Sequence, residues 1–298
     1  MAISAAIPFK PALRQRVFAT PPELYFVVSA VFHYLGPSFA VLLFARVEPL
    51  GVAWLRIASA GVVFAVWRRP WRALRASAET IWPLVCSFGA VLAVMNACFY
   101  LAIDRLPLGT VAAIEFLPVI GLAALGVRSI RNLVALTLAV AGVYALVDAR
   151  IGGEPLGIAF SFANALLFAC YIVLAHRMAR RYELPSIDGL ALAMLVATVL
   201  VTPIGGFSVA PALVDPIALA AGAGVGIASS VIPYVFDQLA MSRLSRATYS
   251  LMVSLLPATA TVIGIVVLAQ VPRVVEIVGV ALVVSGVALH REPVTEEV

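Results

Sequence analysis

Residues 101–121 read LAIDRLPLGTVAAIEFLPVIG, and residues 239–264 read LAMSRLSRATYSLMVSLLPATATVIG. One pattern runs through both. Leu101, Ala102, Arg105 and Leu106 recur as Leu239, Ala240, Arg243 and Leu244 at an offset of 138, and Thr110 and Thr248 keep that offset. Pro118 is matched by Pro257 within one residue, and Leu138, Gly142 and Val143 return as Leu282, Gly286 and Val287. Apolar helices of low complexity can resemble one another by chance, so the decision rests on which side of a membrane each copy falls.

A membrane is required by the composition. The chain is 63% hydrophobic and 12% charged with mean hydropathy +1.08, outside the usage of soluble domains. Runs long enough to cross a hydrocarbon core occur near residues 23–45, 50–67, 82–103, 107–127, 132–148, 156–176, 187–204, 217–241, 247–269 and 274–290. With the N-terminus in the cytoplasm, alternate loops collect 15 of the 20 Lys and Arg on the inner side: Lys10, Arg14, Arg16, Arg68, Arg69, Arg72, Arg75, Arg128, Arg131, Arg177, Arg180, Arg181, Arg243, Arg246 and Arg291. Arg46, Arg105, Arg150 and Arg273 fall outside and Arg56 lies within a span. This is the positive-inside bias, and shifting the helix count by one would scramble it. The net charge of +5 is therefore mostly topology, and no nucleic-acid partner is expected.

With five helices between them, Arg105 faces out and its counterpart Arg243 faces in. The expected fold is thus an all-α membrane protein with ten transmembrane helices in two inverted five-helix repeats. Residues 1–22 form a cytoplasmic N-terminal segment, 23–148 the first repeat, 156–290 the second, and 291–298 a cytoplasmic tail. No A-x-A cleavage site follows the first apolar run, which reads as a retained helix. Two similar halves in opposite orientations can exchange conformations and open a central site to each side in turn. Pro118 and Pro257 are the candidate hinges. Each removes a backbone donor and crowds the carbonyl four residues earlier, at Ile114 and Val253.

Polar groups at membrane depth are costly and mark candidate sites. Of 15 carboxylates, only Glu115 and Asp237 sit well inside spans. A titrating carboxyl there can carry a proton through a transport cycle; a permanent structural bond is the competing reading. Arg56 is the sole cation inside a span, placed either to snorkel outward or to face Glu115 or a substrate carboxylate. His33 stands among Phe32, Tyr34 and Gly36, where an interfacial side chain is the commoner role. Asn96 and Tyr100 lie one turn apart, and Tyr234 and Gln238 repeat them at the offset of 138, as a cavity lining or as interhelical hydrogen bonds. Cys86, Cys98 and Cys170 have no paired spacing and read as packing residues. No Walker A, H-E-x-x-H or G-x-S-x-G pattern occurs, so no enzyme, cofactor or metal is expected, and active transport would run on an ion gradient.

Ten helices in two inverted halves resemble the drug/metabolite transporter superfamily with its EamA-type repeats. Within it, MNACFYLAIDRLPLGTVAAIEFLPVIG (95–121), SSVIPYVFDQLAMSRLSRATYSLMVSLLPATATVIG (229–264) and RRPWR (68–72) are similar to the threonine/homoserine exporter subgroup. The resemblance implies proton-driven export of small amino acids from the cytoplasm, and it places the family's fourth-helix glutamate at Glu115 and its eighth-helix acid at Asp237. Departures are Leu256 before Pro257 where relatives carry an acid, Leu268-Ala269-Gln270 where they end the ninth helix Leu-Gly-Glu, and Val41 where many have lysine.

The leading reading is therefore an inner-membrane exporter of threonine- or homoserine-like metabolites, with a small-molecule substrate, protons and the lipid bilayer as partners. An exporter of aromatic amino acids or hydrophobic drugs is the alternative, and a membrane scaffold or membrane-embedded enzyme the reading from another class. Cysteine labelling after Arg75, Arg131 and Arg181 is expected to report cytoplasm, and labels near Gly153 and Phe207 the outside. A cytoplasmic signal at Gly153 would overturn the ten-helix inverted topology.

Overall fold

A computed structural model describes residues 20–118, 130–148, 154–179, 186–241, 252 and 255–289. The second LAxxRL copy from Arg243 to Thr248, Val253, Glu183, the Lys and Arg at positions 10, 14, 16, 128, 150, 180, 181 and 291, and the bulk of both terminal segments lie outside them. Among the described residues the chain is all-helical: α1 Pro22–Leu43, α2 Pro49–Arg68, α3 Trp71–Ile103, α4 Leu108–Glu115, α5 Ile130–Asp148, α6 Pro155–Ala179, α7 Ser186–Leu213, α8 Pro216–Gly226, α9 Ile232–Met241, α10 Leu256–Leu268 and α11 Val274–Leu289. A π-helical turn, Ile227–Val231, joins α8 to α9 into one rod.

Four helices begin on proline, at Pro22, Pro49, Pro155 and Pro216. The missing N–H costs nothing in a first turn, and the fixed φ is already helical. Asp215 caps α8, its carboxylate accepting from Ile217 N at 2.9 Å and Ala218 N at 3.2 Å. The Ala218 bond, helped by Arg46 at 3.0 Å, holds the Asp215 carboxyl below the usual carboxylate range.

Six helical segments are long and apolar enough to cross a membrane: Pro22–Leu43, Pro49–Arg68, Ile81–Ile103, Pro155–Ala175, Asp188–Leu213 and Pro216–Asp237. Ile130–Leu146, Leu256–Leu268 and Val274–Gly286 are shorter apolar helices. Two sequence boundaries differ. The seventh span runs on to Leu213, so Phe207 lies in α7 with its ring outward at 89% exposure. The fourth helix stops at Glu115 instead of continuing without a break. Exposed Val66, Val199 and Tyr144 join Phe207 on the outer surface, as expected where the surrounding medium is hydrocarbon.

Contacts divide the chain into two compact units, residues 1–97 with 170–244 and residues 98–169 with 245–298. Each draws on both sequence halves. In the first, α2 runs along α7 and α1 along α9. A Cβ on Gly51 would lie 2.5 Å from the Ser208 carbonyl oxygen, so the α2 and α7 backbones meet where only glycine fits. Trp54 Nε1 donates to Thr202 Oγ1 at 2.9 Å, and Arg68 Nε meets Asp188 Oδ1 at 2.7 Å, along the same pair of helices.

In the second unit α5 runs along α11, and α4 along α10. The repeat-matched Gly142 and Gly286 both belong to the α5–α11 contact: a Cβ on either would stand 2.6 Å from a backbone oxygen, of Gly279 and Ala135 respectively. Ile114, Phe116, Ala139, Leu146, Ala165 and Val283 build the apolar core around them.

α10 ends in a Schellman-type turn, with Gln270 N donating to the Gly264 carbonyl at 3.1 Å and Ala269 at φ 52°. That left-handed backbone costs an L-residue roughly 1–2 kcal/mol. Glycine relieves it, so Ala269→Gly is expected to raise the thermal midpoint of the detergent-solubilised protein by the equivalent of about 1 kcal/mol. An unchanged or lowered midpoint would show that the turn carries no strain.

Candidate functional site

Glu115 is the last residue of α4 and is buried at 6% exposure. The helix ends here for a local reason: Pro118 cannot donate to the Ile114 carbonyl, and the N–H of Phe116 turns to that carbonyl instead. Glu115 Oε1 accepts from Asn164 Nδ2 of α6 at 3.1 Å. Asn164 is 1% exposed, and its Oδ1 has no hydrogen-bond partner. The Phe116 and Phe168 rings meet edge-on beside the pair, centroids 6.0 Å apart. In the same unit a small cleft is lined by Pro107, Thr110, Thr261, Gln270, Pro272 and Glu276. Gln270 Oε1 accepts from Leu108 N at 3.2 Å there, and the buried Glu276 accepts from Arg273 N at 2.8 Å at the start of α11.

The first unit holds a second buried polar centre. Pro233 lacks the N–H that would bond the carbonyl four residues back, at Ser229, and the helix opens into the π turn over Ile227–Val231. Arg56 of α2 supplies the replacement donors: Nη2 bonds the Ser229 carbonyl at 3.2 Å and Nε bonds Ser230 Oγ at 3.1 Å. Ser29 of α1 donates to the Pro233 carbonyl at 3.2 Å. Glycine admits these close approaches: a Cβ on Gly36 would lie 2.5 Å from Ser229 Cβ, and one on Gly226 would strike Ser59 and the Arg56 backbone. Arg56 is 8% exposed, so it points inward and does not snorkel.

The other sequence candidates fall around these centres. His33 is half-buried on α1, its ring edge-on to Tyr34 at 5.2 Å. Asn96 is buried on α3 and bonds its own helix, Nδ2 to the Leu92 carbonyl at 2.8 Å. Tyr100 is fully buried one turn later, edge-on to Phe99. Tyr234 and Asp237 are half-buried on α9. The side chain of Gln238 lies outside the described residues. Pro257 sits in the first turn of α10, where it interrupts no described hydrogen bond. Sequence reading missed Asn164, Ser229 and Ser230. The signal was available: Asn164 is an amide in the middle of FSFANALLFAC, and Pro233 stands four residues after Ser229. Among the described residues no group of three His, Cys, Asp or Glu side chains could hold a metal.

Comparison with known proteins places this architecture. Residues 155–291 match the EamA-like transporter family. The chain is 28% identical over 274 residues to the threonine/homoserine exporter RhtA of Salmonella typhimurium strain SL1344, covering 88% of this chain and 90% of that protein. It is 28% identical over 256 residues to the threonine/homoserine exporter RhtA of Escherichia coli strain K12, covering 84% of each. A crystal structure at 20% identity superposes with a TM-score of 0.56 over 91% of this chain and 98% of its own, a likeness of fold. Residues 155–291 are thus similar to the EamA-like transporter family, in a chain with six helical segments long and apolar enough to cross a membrane that is similar along most of its length to threonine/homoserine exporters.

Proposed function

We propose that this protein is a secondary transporter that exports small amino acids of the threonine and homoserine kind across the inner membrane, coupled to proton entry and working by alternating access. The observation that carries this reading is the similarity to threonine/homoserine exporters over 88% of the chain. Supporting it, a buried carboxylate stands at the end of an interrupted helix, where transporters put their sites. Within the two units, helices at equivalent places in the halves pack on each other: α2 on α7, α4 on α10 and α5 on α11. That is the pairing expected of inverted halves that exchange conformations. A proton and the cargo that take turns at Glu115 give antiport, because release of one is the condition for binding the other. In the first unit, the Arg56 guanidinium is already dehydrated and held at the π turn, which makes it a separate candidate for contact with an anionic cargo group.

Glu115→Gln keeps size and hydrogen bonding while removing the titrating charge. The variant is expected to insert normally and to lose tenfold or more of threonine and homoserine efflux from overexpressing cells, whereas Glu183→Gln leaves efflux near wild type. Wild-type efflux with unchanged pH dependence in Glu115→Gln would make the residue structural and pass the coupling role to Asp237.

Arg56→Lys keeps a charge but loses the planar fork that spans Ser229 and Ser230. Its KM for threonine is expected to rise several-fold in proteoliposomes, together with a lower thermal midpoint. A lowered midpoint with unchanged KM would confine Arg56 to bracing the π turn.

A further inference from the structure

We propose that Asn164, with Glu115 and the C-terminal end of α4, forms a subsite for the ammonium group of the cargo. The inference rests on the transport reading only for the identity of the cargo; the subsite itself is argued from geometry. The Asn164 amide turns its NH2 to Glu115, Nδ2 donating to Oε1 at 3.1 Å, the arrangement a carboxylate acceptor takes. That choice leaves Asn164 Oδ1 as a buried acceptor with no donor. Native proteins leave few such atoms, and each calls for a ligand, ion or water to complete it.

Three acceptor features converge there, each favouring positive charge. Glu115 brings a carboxylate, Asn164 a carbonyl dipole, and α4 its C-terminal end, where the helix dipole is negative. Interrupted membrane helices use such ends to hold cations. The aromatic pair supplies the remaining wall. Phe168 lies one turn beyond Asn164 on the same face of α6, and its ring abuts Phe116. Aromatic faces favour an organic ammonium by cation–π attraction. A primary ammonium has three donors, enough for Glu115, Asn164 Oδ1 and one further acceptor.

The test uses the purified full-length protein in detergent and reads the thermal midpoint against four probes: L-threonine, its desamino analogue 3-hydroxybutyrate, ethylammonium chloride and sodium chloride. Threonine and ethylammonium are expected to stabilise wild type, and the desamino analogue and sodium to leave it unchanged. Asn164→Leu is expected to weaken the ethylammonium response tenfold or more, and Asn164→Asp, which keeps an acceptor, to retain it. If Asn164→Leu does not fold, Asn164→Ser, whose hydroxyl is too short to reach, is expected to show the same loss. A wild-type ethylammonium response in Asn164→Leu or Asn164→Ser overturns the subsite, and so does an equal response of wild type to sodium or no response to ethylammonium. The two readings can fail separately. Efflux assays with no amino-acid transport, beside an Asn164-dependent ethylammonium response, leave the subsite standing and remove the exporter. Normal threonine transport with unchanged KM in Asn164→Leu does the reverse.

Discussion

The constraint on which the structure turns is that a membrane offers no water to a backbone group that has lost its partner. Two prolines in mid-span impose that loss, and the chain answers each differently. At Pro233 the helix widens by one residue, and Arg56 reaches across from α2 to bond the Ser229 carbonyl. Two residues before Pro118 a turn at Phe116 breaks the helix, and Glu115 is left at the end of α4 facing Asn164. Both answers bring a charged side chain into a buried setting, where it would be expensive without a reason. The backbone defect and the charged residue are therefore one feature in each unit: the missing bond makes a place for the charge.

Close packing makes these placements firm. Between membrane helices there is little hydrophobic drive, so contact depends on small residues that let backbones approach. Gly51 against Ser208, Gly142 against Gly279, and Gly286 against Ala135 are such contacts, and none has room for a Cβ. They run along the α2–α7 and α5–α11 pairs, each of which joins helices far apart in sequence. The α2–α7 pair also carries Arg68 and Asp188, an ion pair with both side chains largely covered. Such a pair contributes more to register than to net stability.

Much of this was legible in the sequence because membrane rules are coarse. Hydropathy and the distribution of Lys and Arg gave the helices, and the cost of buried charge singled out Glu115 and Arg56, both of which the structure buries. What escaped was local. The break after Glu115 depends on how Pro118 and Phe116 share the Ile114 carbonyl, which no hydropathy window registers. Asn164 escaped because a neutral amide barely lowers the mean hydropathy of its span. Asn96, which the sequence offered as a cavity lining or an interhelical hydrogen bond, bonds the Leu92 carbonyl of its own helix. Ala269, noticed as a departure from a Leu-Gly-Glu ending, proved to occupy a left-handed position that glycine fills without strain.

The mixing of sequence halves within each compact unit bears on how the protein is made. A ribosome delivers helices in order, yet α1 and α2 find their partners in α7 and α9, and α4 and α5 find theirs in α10 and α11. Helices α1, α2, α4 and α5 must therefore wait with their packing faces bare until α7, α9, α10 and α11 have been made. Such long-range pairing folds slowly. A nascent chain halted midway has no finished unit to fall back on, and α11 closes the contact that α5 was left holding open.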